Sequence, residues 1–302
     1  MHTGGMTPDS RMGCPYPRCG PRTPTVHRRA MICRMDSTSP LPPPDVDAVV
    51  FDVFGTLTDW RTGVAEALAR VGGRAGAAAD WPAVADAWRR RYRPYLDRVV
   101  NGELPWQPLD VLHRRMLDDV LPAYGLDGLD GLDDLGALGD SDRAELVRAW
   151  HRLPAWPDAP AGLELLHRSP LLTATLSNGG TGLLTRLAKH AGLRFDCILS
   201  AETVTSYKPD PRVYRMAARL LEVEPHRLLM VACHPDDLRA AAAAGLRTAY
   251  IPRPLEWGPD AAPVEPPAWA DLVADDVPAL ARALSSPLPA LSPPPPRTPR
   301  SP

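Results

Sequence analysis

The stretch "FDVFGTLTDW", Phe51 to Trp60, decides how the rest of the chain is read. It closes the run "VDAVVFDV" (46–53), whose near-continuous hydrophobicity suits a strand buried on both faces. An acidic residue, Asp52, stands at the strand end, with Phe54 two places on and Thr56 beyond it. Taken alone, Asp52 reads equally well as a turn residue. Its meaning depends on what the other strand ends carry.

Four further apolar runs fit buried strands: "LLTATLS" (171–177), "CILS" (197–200), "LLMVAC" (228–233) and "TAYIP" (248–252). Helical patterns separate them. "TGLLTRLAKHAG" ends at Gly192, a C-terminal cap. "DPRVYRMAARLLEV" opens with Asp210 as N-cap and Pro211 as first helical residue. "PDDLRAAAAAG" ends at Gly245. Alternation of this kind predicts an α/β fold: a Rossmann-like parallel sheet flanked by helices.

Residues 61–157 break the alternation. "DWPAVADAWRRRYRPYLDRVV" places Val84, Trp88, Tyr95 and Val99 at helical spacing, with Pro94 expected to kink it. "PLDVLHRRMLDDVL" and "SDRAELVRAWHRL" read as further helices. A helical cap is thus inserted after the first strand. Ligands bind beyond the carboxyl ends of strands in an open parallel sheet, so an insertion there would roof the site. The expected division is a leader (1–44), an α/β core (45–60 and 158–284), the cap (61–157) and a tail (285–302). Leader and tail are Pro-rich and without periodicity, which predicts disorder.

Bulk properties exclude several classes. The 302 residues are 44% hydrophobic, enough for a real core. No run of ~18 apolar residues exists, so no membrane span is expected. A formal net charge of −2 gives no reason to expect nucleic acid. Five cysteines, an odd number, with no apolar leader point to reduced thiols and the cytoplasm. Cys14, Cys19, His27 and Cys33 fit no usual zinc spacing; the alternatives are a disordered leader or a start at Met35. Of 34 basic residues only Lys189 and Lys208 are lysine, and Asn101 and Asn178 are the two asparagines. In a chain so biased, a retained Lys or Asn gains weight as a chemical requirement.

Four segments place polar groups just past strand ends: Asp52 with Thr56; Ser177 and Asn178 before glycines that open a helix; Lys208, Asp210 and Tyr214 in "SYKPDPRVY"; and His234, Asp236 and Asp237 in "ACHPDD". Free backbone N–H groups at the second of these favour an anion. Singly, each has an ordinary reading as cap, first-turn acid or surface charge. In this order, each after a strand, coincidence is improbable.

Together, "DVFGTLTDW", "LSNGG", "YKPDPRVY" and "HPDDLRAAAAAGLRT" resemble the haloacid dehalogenase superfamily over residues 46–284, and within it the L-2-haloacid dehalogenase branch, type II. Two departures from the superfamily's phosphatases support that branch. Those enzymes carry a second Asp two residues after the nucleophile to protonate a leaving alkoxide; here it is Phe54. A halide needs no proton. They also carry a magnesium-binding acid four residues before the position of Asp237; here it is Cys233, a poor ligand for a hard cation.

The resemblance implies a hydrolase acting on carbon–halide bonds of short 2-haloacids through an aspartyl ester, without cofactor or metal. Asp52 would be the nucleophile and Lys208 its electrostatic partner. Thr56, Ser177, Asn178 and Tyr214 would bind substrate, and Asp237 would place Lys208 or water. "AWRRRY" matches the family's Trp-Arg pair, which makes Arg89 the halide and carboxylate ligand, against the alternative of a solvated helix Arg. His234 stands where typical members have Asn; it reads as a base for the hydrolytic step or as a helix cap. Asp236 adds charge where an aromatic residue is common. The expected partner is a small 2-haloacid or similar acid, with homodimerisation left open. Competing readings are a magnesium-dependent phosphatase using Asp236 or Asp237, and a non-catalytic member binding a small acid or a protein.

Overall fold

In strand β1 (Ala48–Phe51) all four side chains are buried. Ala48 and Val50 face one apolar cluster, and Val49 and Phe51 the other. This period of two is why the run is apolar throughout: both faces of the sheet are covered. The computed structural model describes residues 45–128 and 136–285. The expected leader, most of the expected tail and the leader cysteines lie outside the described residues.

β1 pairs in parallel with β2 (Leu172–Ser177) on one side and β4 (Leu228–Ala232) on the other. β3 (Cys197–Ser200), β5 (Arg247–Tyr250) and β6 (Leu272–Val273) complete a parallel sheet of order β3-β2-β1-β4-β5-β6. Five strands follow the apolar runs. β6 has two residues, too short to leave a periodic signal.

Helices α1 (Trp60–Ala75), α2 (Trp81–Val100), α3 (Leu109–Asp118) and α4 (Asp140–Ala149) precede α5 (Ala159–His167) and β2. Asp59 and Asp80 cap α1 and α2 by accepting from the Thr62 and Ala83 amides. α2 runs through Pro94 as one helix. Among the described residues between β1 and β2, no strand forms.

The remaining helices are α6 (Thr181–Ala191), α7 (Pro211–Leu220), α8 (Pro235–Ala243) and α9 (Val277–Ser285). Gly192 is left-handed at the end of α6, and Asp210 caps α7 through the Arg212 amide, both as the residues dictate.

The chain leaves β1 through a tight turn. Gly55 has φ of 91°, a left-handed conformation that glycine adopts at little cost. A Cβ there would also collide with the Glu256 carboxylate. Trp156 donates its indole N–H to the Gly55 carbonyl at 2.8 Å, and its backbone N–H to Leu57 O at 2.9 Å. Entry to and exit from the helical segment are thereby tied together beside the end of β1.

Candidate active site

The sheet order reverses at β1, since β2 and β4 flank it on opposite sides. A crevice opens at such a switch point. Asp52 follows β1, Asn178 follows β2, and Cys233 and His234 follow β4, so topology gathers residues that are up to 182 positions apart (Asp52 to His234).

Asp52 is buried and fully engaged. Its Oδ1 accepts from Lys208 Nζ at 3.1 Å; its Oδ2 accepts from Thr56 Oγ1 at 2.8 Å and lies 3.2 Å from His234 Nδ1. Burial alone would raise its pKa, but the Lys208 charge, the His234 contact and the Thr56 bond outweigh burial and hold it far below the usual carboxylate range. It is ionised at any working pH.

Lys208 Nζ also donates to Asp237 Oδ2 at 2.6 Å. Burial disfavours its charge, yet Asp237 and Asp52 together push its pKa up. Tyr214 donates to Asp237 Oδ1 at 2.6 Å. Asn178 Oδ1 accepts from the Lys208 amide at 2.7 Å and fixes the loop that delivers the lysine.

His234 begins α8 but does not cap it with its side chain. The ring instead bridges Asp52 and Glu256, with Nε2 3.0 Å from Glu256 Oε1. Burial works against its charge; the Cys233 sulfur and the Glu256 and Asp52 carboxylates prevail, and its pKa rises well above the ordinary value. Glu256 is buried, accepts from Trp60 Nε1 at 3.0 Å, and is held low by His234 against the cost of burial.

The cavity before Asp52 measures ≈ 400 Å³ and is lined by Asp52, Asn178, Lys208, Tyr214, His234 and Asp237 on the sheet side. Phe54, Pro209, Asp236, Glu256 and Trp257 also line it, and α2 adds Arg89, Arg90, Tyr92, Arg93 and Leu96. Phe54 is buried and meets Trp150 edge-on, with centroids 5.7 Å apart. At the position of a phosphatase's general acid there is thus an apolar floor.

Arg89 is not a solvated helix residue. It is 9% exposed, and its guanidinium sits 4.3 Å from the Tyr92 ring centroid and 5.4 Å from that of Trp60. Its Nη1 is buried and has no hydrogen-bond partner among the described residues. A buried, unpaired guanidinium nitrogen on a cavity wall is built to take an anion.

Three sequence expectations meet a different outcome. Ser177, the last residue of β2, does not line the cavity; its hydroxyl accepts from the Gly179 amide at 3.3 Å. The anion expected at the start of α6 is the chain's own Glu202, which accepts from the Thr181 amide at 3.1 Å. Thr56 acts on Asp52 rather than facing the cavity.

A family model for haloacid dehalogenase-like hydrolases matches residues 46–245. The chain belongs to this family. (S)-2-haloacid dehalogenase 1 of Pseudomonas sp. (strain CBS-3) is 33% identical over 214 residues, covering 69% of this chain and 85% of that protein. The crystal structure of a defluorinating L-2-haloacid dehalogenase aligns with a TM-score of 0.74 at 40% identity, covering 80% of this chain and 96% of the other. The L-2-haloacid dehalogenase of Xanthobacter autotrophicus, solved with chloropropionic acid covalently bound, aligns with a TM-score of 0.64 at 27% identity, covering 78% and 97%.

For a haloacid dehalogenase-like hydrolase the site contains one group the motifs do not announce. Glu256 lies in "PRPLEWGPD" (252–260), between β5 and β6, where no periodicity marks a buried residue. Adjacent Trp257, a large aromatic in a Pro-rich loop, is the one signal that this loop packs against something.

Proposed function

We propose that this protein hydrolyses short 2-haloacids, giving 2-hydroxy acids. The carrying observation is the pairing of opposite groups across one cavity: an ionised, buried Asp52 on one wall and the unpaired Arg89 guanidinium on the other. Asp52 attacks the substrate α-carbon, and the halide leaves with the bonding electrons, inverting that carbon. Arg89 takes the anionic end of the substrate or the departing halide. Lys208 keeps the nucleophile charged, and Asp237, itself held by Tyr214, keeps Lys208 in place.

Water then attacks the Asp52 carbonyl carbon. His234 is oriented by Glu256 and stands beside the same carboxyl group, so it receives the water's proton. Esterification removes the Asp52 charge, one of the two carboxylates that hold His234 protonated, so the imidazolium gives its proton to solvent and the neutral ring is available for this step. The tetrahedral intermediate collapses, the alkoxide leaves as the 2-hydroxy acid with the proton His234 returns, and the remaining proton passes to His234 as the Asp52 carboxylate is restored.

Residues 61–157 serve as a cap: α2 contributes Arg89, Tyr92, Arg93 and Leu96 to the cavity wall and covers the strand ends. No helix among the described residues is long and apolar enough to cross a membrane, and Cys197 and Cys233 are free thiols, which supports a cytoplasmic setting. Halide release from 2-chloropropionate and its homologues, measured with and without a chelator, tests the reading. Release that survives or rises with chelator is expected. Loss with chelator, restored by magnesium, would overturn the metal-free mechanism and favour the phosphatase-like reading.

A further inference from the structure

Behind His234 three ligand-type atoms converge that the hydrolytic reaction does not need as a group. Cys233 Sγ, His234 Nε2 and a Glu256 carboxylate oxygen all lie within 4.8 Å of one another. The edges are 3.5 Å from Cys233 Sγ to His234 Nε2, 3.0 Å from His234 Nε2 to Glu256 Oε1, and 3.7 Å from Cys233 Sγ to Glu256 Oε2. A tetrahedral zinc with bonds of ~2.3 Å to sulfur and ~2.0 Å to nitrogen or oxygen requires S···N and S···O edges of roughly 3.5 Å and an N···O edge of roughly 3.3 Å. The S···N edge matches outright; Glu256 meets His234 through Oε1 and Cys233 through Oε2, so its carboxylate turns, or binds through both oxygens, to close the tripod.

The surrounding contacts are also those of a metal site. His234 Nδ1 faces the Asp52 carboxylate at 3.2 Å, the orienting contact that metal-bound imidazoles characteristically make. Glu256 is fixed by the Trp60 indole N–H. One sulfur, one nitrogen and one carboxylate suit a thiophilic, tetrahedral cation and not magnesium, which prefers six oxygens. A second cavity of ≈ 230 Å³, lined by Cys233, His234, Tyr250, Glu256 and Trp257 and not by Lys208, reaches the tripod and supplies an entry path.

We propose that Cys233, His234 and Glu256 form an inhibitory site for a thiophilic divalent cation of the zinc class. Binding replaces the Cys233 thiol proton, which goes to solvent, and occupies His234 Nε2. The remaining ring proton on Nδ1 then points at Asp52, so His234 has no free nitrogen to accept a proton from water. The double positive charge beside Asp52 also weakens its attack. The site rests on geometry alone, so it can stand or fall independently of the dehalogenase reading.

Cobalt(II) titration of the full-length chain tests it, in a background where Cys14, Cys19 and Cys33 are serine. The expected result is one equivalent bound with a thiolate-to-cobalt charge-transfer band that zinc abolishes. Zinc should inhibit halide release with the same midpoint, and chelator should reverse it. Cys233→Ala should keep metal-free halide release, lose the band, and need at least about tenfold more zinc for inhibition. No band in that Cys14→Ser, Cys19→Ser, Cys33→Ser background, or a band or zinc sensitivity unchanged there by Cys233→Ala, would overturn the proposal. If the band appears and follows Cys233 while no haloacid is turned over, the metal site stands and the substrate assignment fails.

Discussion

On the sheet side of the cavity the charged groups answer one another: Lys208 lies between Asp52 and Asp237, and Tyr214 completes Asp237. On the helical side Arg93 pairs with Asp97 at 2.7 Å, but Arg89 is not answered in this way. Arg89 Nη1 and both ring nitrogens of His113 are buried without hydrogen-bond partners among the described residues. His113 stacks on Trp150 with centroids 4.3 Å apart, and burial drives its pKa down to about 3. The sheet side is preorganised before substrate arrives. The helical side carries a charge that only a bound anion can complete. That difference is a division of labour between a fixed nucleophile and a receptor for the substrate's negative groups.

Breaking the paired side should cost the most. Asp52→Asn preserves size but removes charge and nucleophilicity, so halide release should fall on the order of 10⁴-fold or more with an unchanged melting temperature. Residual activity near wild type would remove Asp52 from the chemistry. Lys208→Arg keeps the charge but replaces a compact ammonium with a planar fork that cannot sit between the two carboxylates in the same way. A loss on the order of a hundredfold is expected in single-turnover ester formation. A loss confined to KM would show that Lys208 only binds substrate.

The unpaired side should respond more mildly. Arg89→Gln removes one charged hydrogen bond to an anion, worth about 2 kcal/mol or about thirtyfold in kcat/KM. An unchanged kcat/KM would mean that the anion is held elsewhere. The smallest effect belongs to His113. Its ring stays neutral in the fold down to about pH 3, because burial and the nearby Arg89 and His151 charges outweigh Asp110. The unfolded chain takes up that proton below about 6.5. Between those values the unfolded state binds more protons, so stability falls as pH drops, by up to about 1.4 kcal/mol per pH unit. His113→Phe should flatten urea-unfolding stability between pH 6.5 and 5 relative to wild type. Parallel curves would show that His113 does not titrate there.

The same contrast governs what was legible in the sequence. Asp52, Asn178, Lys208 and Asp237 were visible because each interrupts or follows an apolar run, and topology then brings strand ends together. Tyr214 was visible through its motif. Ser177 was equally visible yet misplaced: it is the last strand residue, and alternation turns it away from the cavity that Asn178 faces. Arg89 could not be resolved from its helix because five residues of "RRRYRPYLDR" (89–98) are arginine, and only packing against Tyr92 and Trp60 separates it from the others. Glu256 was missed because a carboxylate in a Pro-rich loop ordinarily faces water. Its burial depends on Trp60, His234 and the space left by Gly55, which come from distant parts of the chain.

The central claim is that Asp52 forms a covalent ester whose carbonyl, not the substrate carbon, is attacked by water. A single turnover of 2-chloropropionate with excess enzyme in heavy-oxygen water measures this directly, with the Asp52 peptide and the product analysed by mass spectrometry. The expected result is heavy oxygen in the Asp52 carboxylate and unlabelled hydroxyl oxygen in the first product. Label in the first-turnover hydroxy acid with none in Asp52 would mean that water attacks the substrate itself, and the nucleophile assignment would be wrong.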